Sequence, residues 1–426
     1  MIRNSERKKV IHCNLMSVFL AAAYNPRAAI VFHAPKSCSH IAHNAFWEMR
    51  LKIATNKSFN GQCDGSNLFV TGLADKEAIF GGEKLLKACL LDIAAVRKPE
   101  YIIVAAGCAA GVIGDDVEAI CRETEASTGI PVLCVEGSGF MNQKAVDGVL
   151  SVTKALCQKL VYPLSGTAKN PAALAVFGIN VIFSRESELN EINRLLGLFG
   201  FKNIYYPPGG MTLKQLQETA AVSAVTAMGF IPKNLEAVRV FARQFAETMQ
   251  ISYINLGIPS SLEATYEWLL DLGTALGRKQ EAIKSVEKER QAYSDFLQNI
   301  TAVLQGKSYI LAISLPQRYF EPLPIIKMLE EAGLKLQGII LCDELTTAEQ
   351  LMHKKLLGKN LKTNYYDETK LQNTFVDLVI TTAPKKCSRP QYCIGFRRVG
   401  RKGSENFLLK LAETLSEQRE LVYENR

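Results

Sequence analysis

Three cysteines stand where a folded chain would present a reactive thiol. Cys108 follows residues 101–106, an apolar and uncharged run with the pattern of a fully buried parallel strand, and precedes residues 109–120, whose apolar spacing is helical. A strand-to-helix turn exposes backbone N–H groups and the positive end of the helix dipole, so a thiolate there has a lowered pKa. Metal ligation and redox work need such a thiol; a phosphate-binding turn or a buried structural cysteine would leave the same pattern. Cys38 closes the turn His33-Ala-Pro-Lys-Ser-Cys38 after a strand-like run at 28–32, and Cys13 stands just ahead of the apolar helical run 14–24. Ligands collect at the carboxyl ends of strands in open parallel sheets. Three cysteines at three loop-to-helix junctions of one domain could therefore converge, and thiolates are the usual iron–sulfur ligands. The chain has no CxxC pair of the kind a zinc ribbon needs.

Four of the five histidines, His12, His33, His40 and His43, crowd the same region. His40 and His43 are three apart and share a helix face. Such groups could donate protons or hydrogen-bond cluster sulfurs, or simply face solvent. Asp115 and Asp116, just beyond Cys108, are expected to stabilise a helix N-terminus rather than to catalyse. The fragment Gly306-Lys307-Ser308 lacks the upstream glycine of a P-loop, and Gly107, Gly111 and Gly114 do not space as G-x-G-x-x-G. Neither G-x-S-x-G nor HExxH occurs.

The elements that must position these residues alternate strand and helix. Strands are expected at 28–32, 68–71, 101–106 and 132–135, with helices at 41–52, 76–96, 109–125 and 143–160. Gly81-Gly82 lies inside the second of these helices and costs roughly 1 kcal/mol per glycine, so a close backbone approach is expected there. Residues 161–173 look like a linker. A second series follows, with strands at 175–182, 203–206 and 222–227 and helices at 186–199, 213–218, 234–248 and 261–304. The third has strands at 308–313, 336–341 and 376–381, with helices at 319–332, 347–357, 368–374 and 404–421. Repeated β–α units give parallel sheets covered on both faces. The expected fold is α/β, three doubly wound Rossmann-like domains: 1–162 holding the cysteines, 174–304, and 305–426 with a C-terminal helix.

A chain of 426 residues exceeds what one core usually fills. Its 48% apolar and 22% charged content is that of an ordinary globular protein. The net charge of +8 falls in short clusters (Arg7-Lys8-Lys9, Lys385-Lys386, Arg397-Arg398 with Arg401-Lys402) without interleaved aromatics, which disfavours nucleic acid as a partner. Basic residues followed by an apolar stretch at 10–23 mimic a signal peptide, but His12, Cys13 and Asn14 interrupt it. No apolar run is long enough to span a bilayer. A cytoplasmic protein with a buried first helix is expected, without membrane association. Eleven irregularly spaced cysteines do not form a disulfide framework in so long a chain.

Taken in order, these blocks resemble the component 1 family of nitrogenases and nitrogenase-like reductases. Cys13 precedes a small-residue helix; residues 33–38 are similar to the family's H-G-P-x-G-C turn; residues 71–82 (TGLADKEAIFGG) are similar to T-x-L-x-E-x-x-x-V-F-G-G; and residues 108–116 (CAAGVIGDD) are similar to C-x-x-x-x-I-G-D-D. Residues 395–400 loosely match a C-terminal family segment. The resemblance implies an iron–sulfur cluster, 4Fe–4S or larger, at the interface of two homologous subunits and ligated by Cys13, Cys38 and Cys108. The second subunit would be an identical copy or a paralogue. A separate ATP-dependent iron–sulfur reductase would feed in electrons singly. Cys63 is a further candidate ligand or a buried structural cysteine. The chain departs from the family's catalytic subunit: residues 220–232 contain no cysteine, and after His43 the remaining histidine is His353, outside any matching motif. Nitrogen fixation by this chain is therefore disfavoured. The expected function is that of a nitrogenase-like reductase subunit passing low-potential electrons to a substrate. The alternatives are a scaffold for metal-cofactor assembly and a metal-free α/β ligand-binding protein.

Overall fold

The computed structural model describes residues 13–42, 67–137, 145–181, 184–229, 232–313, 322–341, 363–365, 375–382, 388–394, 398–416 and 421–423. His12, His43, Cys63, His353, the basic clusters at 7–9 and 385–386 and the helices expected at 347–357 and 368–374 lie outside these residues. Among the described residues no helix is long and apolar enough to cross a membrane. The chain divides into two compact units, Lys8–Gly257 and Ile258–Arg426.

The first unit begins with α1 (Asn14–Ala22), β1 (Ala28–His33) and a helix, α2, over 36–42. Then come β2 (Leu68–Val70), α3 (Asp75–Phe80), α4 (Glu83–Arg97), β3 (Tyr101–Ala106), α5 (Cys108–Ile113), α6 (Val117–Thr128), β4 (Val132–Glu136) and α7 (Ala145–Leu156). The four strands are parallel, in the order β2-β1-β3-β4. Both faces are covered. Ala28, Ile30 and Phe32 join Tyr101, Ile103 and Ala105 in a core with α1 and α7; Ala29 and Val31 join Ile102 and Val104 in a core with α4 and α6. Two buried faces leave no place for polar alternation, which is why these strands read as unbroken apolar runs.

A π-helical turn (Cys157–Val161) and a 3-10 turn (Tyr162–Leu164) lead into β5 (Asn170–Phe177). The remainder of this unit is α8 (Glu186–Gly197), β6 (Asn203–Tyr205), α9 (Leu213–Glu218), β7 (Val222–Ala227), α10 (Pro232–Met249) and β8 (Ser252–Ile254), with parallel order β6-β5-β7-β8. Phe177, Phe241 and Phe245 fill its core, with ring centroids 5.0 and 5.1 Å from Phe177. The second unit contains α11 (Leu262–Ala275), α12 (Lys279–Leu304), β9 (Ser308–Ile313), α13 (Pro322–Glu331), β10 (Lys335–Leu341), β11 (Thr363–Tyr365), β12 (Leu378–Thr381), β13 (Gln391–Cys393), α14 (Gly400–Ser416) and β14 (Leu421–Tyr423). Its sheet is parallel, in the order β11-β10-β9-β12-β13-β14. The fold is thus α/β, built on three parallel, doubly wound sheets.

Several elements differ from the sequence expectation. The helix expected at 76–96 is two helices, α3 and α4, broken where Gly81 takes φ +84°. The helix expected at 109–125 breaks at Gly114, φ +85°, into α5 and α6. Only glycine enters that region freely, so the chain turns there instead of continuing. The helix expected at 261–304 is interrupted at residues 276–278. The end of the expected linker is already the start of β5, because strand pairing recruits residues that lack strand composition. The C-terminal helix starts at Gly400 and ends at Ser416, and 421–423 form an edge strand. Short β8, β11 and β13 carry too few residues for a periodic signal.

Candidate functional site

In the order β2-β1-β3-β4 the direction of winding reverses between β1 and β3, so the carboxyl ends of those two strands form the sheet's switch point. Cys38 lies in the first turn of α2, the helix that follows β1, and Cys108 is the first residue of α5, which follows β3. Cys13 is the N-cap residue of α1. All three are free thiols; Cys13 is exposed, Cys38 and Cys108 half-buried. The Cys38 thiol is pushed up from its ordinary pKa, first by burial, then by the charges of Cys13 and, more weakly, Cys108, against a lowering hydrogen bond from Ser37. Cys38 thus lies within electrostatic reach of each of the other two thiols. Burial and like charge outweigh the Ser37 hydrogen bond at this thiol.

Among the described residues, no group of three or more His, Cys, Asp or Glu side chains is drawn together tightly enough to hold a single metal ion. A multi-iron cluster asks for something else: each thiolate binds a different iron, so its ligands stand farther apart than those of one ion. Three thiols on three separate loop-to-helix junctions fit that donor set.

Behind the thiols lies a buried polar network. His33, the last residue of β1, is fully buried; its Nε2 is 2.8 Å from Asp115 Oδ2, whose side chain is also buried. His33 Nδ1 is 3.0 Å from Thr71 Oγ1: a neutral imidazole that gives its Nε2 proton to Asp115 accepts the Thr71 hydroxyl proton at Nδ1, and Thr71 Oγ1 accepts from Ala34 N–H at 3.3 Å. The Gly82 N–H donates to Asp115 Oδ1 at 2.8 Å. Burial lowers the His33 pKa; the hydrogen bond and charge of Asp115 oppose it without overcoming it. Gly82 is glycine because any Cβ there would lie 2.5 Å from Leu73 Cδ2, 2.7 Å from Asp115 Oδ2 and 2.9 Å from His33 Cε1. The close approach expected at Gly81-Gly82 is thus to the His33–Asp115 pair.

Asp116 does what its position suggests: it is the N-cap of α6 and accepts from Ala119 N–H at 2.9 Å. Asp115 does not cap that helix, because its carboxylate is engaged by His33 and Gly82. His33 turns toward Asp115 and Thr71, so the possibility that it hydrogen-bonds cluster sulfurs is replaced by a structural engagement. His40 is exposed on α2. The sequence puts His33, Thr71 with Gly82, and Asp115 in three separate blocks, 33–38, 71–82 and 108–116, and nothing in their spacing announces that the three meet in one network. In the second unit, Arg398 is buried with its guanidinium 4.0 Å above the Phe407 ring.

Three free thiols at loop-to-helix junctions around a doubly wound sheet, in a chain with two further parallel sheets, define a Rossmann-like α/β protein. The chain belongs to the family of nitrogenase component 1 type oxidoreductases, whose family profile matches residues 13–400. It is 26% identical over 301 residues to the nitrogenase iron-molybdenum cofactor biosynthesis protein NifE of Clostridium pasteurianum, covering 67% of this chain and 60% of that protein. It is 22% identical over 321 residues to the nitrogenase molybdenum-iron protein alpha chain of Methanosarcina barkeri, covering 74% of this chain and 58% of that one. The chain therefore spans about six-tenths of the length of these relatives. The fold is that of nitrogenase Cp1, solved at pH 6.5: TM-score 0.61 and 17% identity over 95% of this chain and 89% of that one.

Proposed function

We propose that this chain is a cluster-holding subunit of a nitrogenase-like oxidoreductase. Cys13, Cys38 and Cys108 ligate an iron–sulfur cluster, 4Fe–4S or larger, at an interface with a second component 1 type subunit, identical or paralogous. When bound, the cluster supplies storage for low-potential electrons, which an ATP-dependent iron–sulfur reductase delivers. The observation that supports the reading is that Cys38 and Cys108 stand in the first turns of the helices that follow the two strands flanking one sheet's switch point, with Cys13 the N-cap of α1. The protein's own part is to hold three soft donors on rigid helix starts and to keep Cys38 half out of water. An apolar rim supports the interface: Ile79, Phe80 and Val112, on the touching helices α3 and α5, and Ile41 on α2 are 62–80% exposed. Large apolar side chains exposed together mark surfaces that a partner covers.

A second reading, a scaffold on which a metal–sulfur cofactor is assembled and then handed on, is favoured by the biosynthesis role named for the Clostridium relative. It also agrees with the absence of cysteine in residues 220–232. Anaerobic purification with iron and sulfide analysis and EPR tests both. Iron and sulfide in the wild type, lost in Cys108→Ala, are expected; a colourless, iron-free protein indifferent to that substitution would refute both readings. With iron present, turnover with dithionite, ATP and the cognate reductase supports the oxidoreductase, and cluster transfer without turnover supports the scaffold.

A further inference from the structure

Helix α5 carries Cys108 at its start and is only six residues long, too short to hold its own orientation without outside contacts. His33 supplies those contacts at both ends. Its backbone oxygen accepts from the N–H of Gly107, the N-cap of α5, at 3.0 Å. Its imidazole meets Asp115, just past the C-cap Gly114, at 2.8 Å. The same residue begins the turn that leads to Cys38, and the next residue, Ala34, accepts at its oxygen from the N–H groups of Gly72 and Leu73, both at 3.1 Å. Asp115 in turn receives the Gly82 N–H at the start of α4.

We infer that the His33–Asp115 pair is a positioning device: by gripping α5 at its two ends from the root of the Cys38 turn, it holds Cys38 and Cys108 at a set separation, while Cys13 is positioned independently. The link to cluster binding rests on the function proposed above; the clamp itself concerns the two loops whether or not a cluster fills them. A buried charge-assisted hydrogen bond suits the task because breaking it leaves Asp115 desolvated and unpaired, which makes the two-loop arrangement strongly preferred over any splayed one.

The test uses the full-length chain, iron removed by chelation under reductant, in wild-type, Asp115→Ala and Gly82→Ala forms. The second variant keeps the His33 and Asp115 side chains and forces them apart, since its Cβ would lie 2.7 Å from Asp115 Oδ2 and 2.9 Å from His33 Cε1. Iodoacetamide labelling of each cysteine is followed by peptide mass spectrometry. Both variants should label Cys38 and Cys108 about tenfold faster, the factor expected when a local opening loses one charge-assisted hydrogen bond. Cys13 and the buried Cys157 should keep their wild-type rates. Unchanged rates at Cys38 and Cys108 would overturn the inference, and so would an equal acceleration at Cys157, which signals general loosening. Iron analysis of the unchelated wild type reads the proposed function separately: an iron-free wild type with selectively loosened thiols in the variants refutes the cluster and leaves the clamp standing.

Discussion

The His33 imidazole makes stability depend on pH with a definite sign. In the unfolded chain it titrates near 6.5, and in the folded protein burial holds it below that value despite Asp115. Well above pH 6.5 it is neutral in both states and contributes no slope. As pH falls through 6.5 the unfolded chain takes up a proton that the folded protein refuses, so stability is lost, down to the folded pKa, where the loss stops. One proton sets the limit at about 1.4 kcal/mol per pH unit. Other groups add their own slopes, so the informative quantity is the difference between wild type and His33→Gln, measured by urea denaturation of the metal-free chain from pH 8 to pH 5. That difference should be constant above about pH 7.5 and should fall below about pH 6.5, with the wild type losing the larger share. If the wild type gains on the variant as pH falls, His33 is an imidazolium ion paired with Asp115, and the reasoning from burial is wrong.

Two further outcomes follow from the packing. Arg401 donates to Glu289 at 3.0 Å and to Glu405, and both carboxylates are buried between α12 and α14. Arg401→Ala should cost about 3 kcal/mol in urea denaturation by removing the guanidinium that both buried acids share, while Lys402 still reaches Glu405 at 3.2 Å; a loss below about 1 kcal/mol would show that water reaches them. Phe177→Ala removes the ring on which Phe241 and Phe245 both pack, and should cost about 3–5 kcal/mol by the same measurement. A variant within about 1 kcal/mol of wild type would mean that the core collapses around the gap.

Much of this protein is decided locally. The apolar runs of β1 and β3, each followed by helical spacing, are enough to set a parallel sheet covered on both sides, because a strand buried on two faces leaves little room for polar alternation. The three cysteines are likewise legible as loop-to-helix residues, since each stands at a change of hydrophobic period. Short strands such as β8 and β13 are not, because three residues carry no period; their identity comes from the neighbours that pair with them.

What only the tertiary structure decided is which of these residues meet. The order β2-β1-β3-β4 places the loops of Cys38 and Cys108 on either side of one switch point, and nothing between residues 38 and 108 states that adjacency. Gly81-Gly82 reads in sequence as a helix defect; in space it is the opening through which Asp115 reaches His33, 82 residues away in the chain. Residue types and spacing dictate what a segment prefers. Long-range pairing selects its partners, because the free energy that fixes them comes from burial and hydrogen bonds that exist only once the sheet has closed.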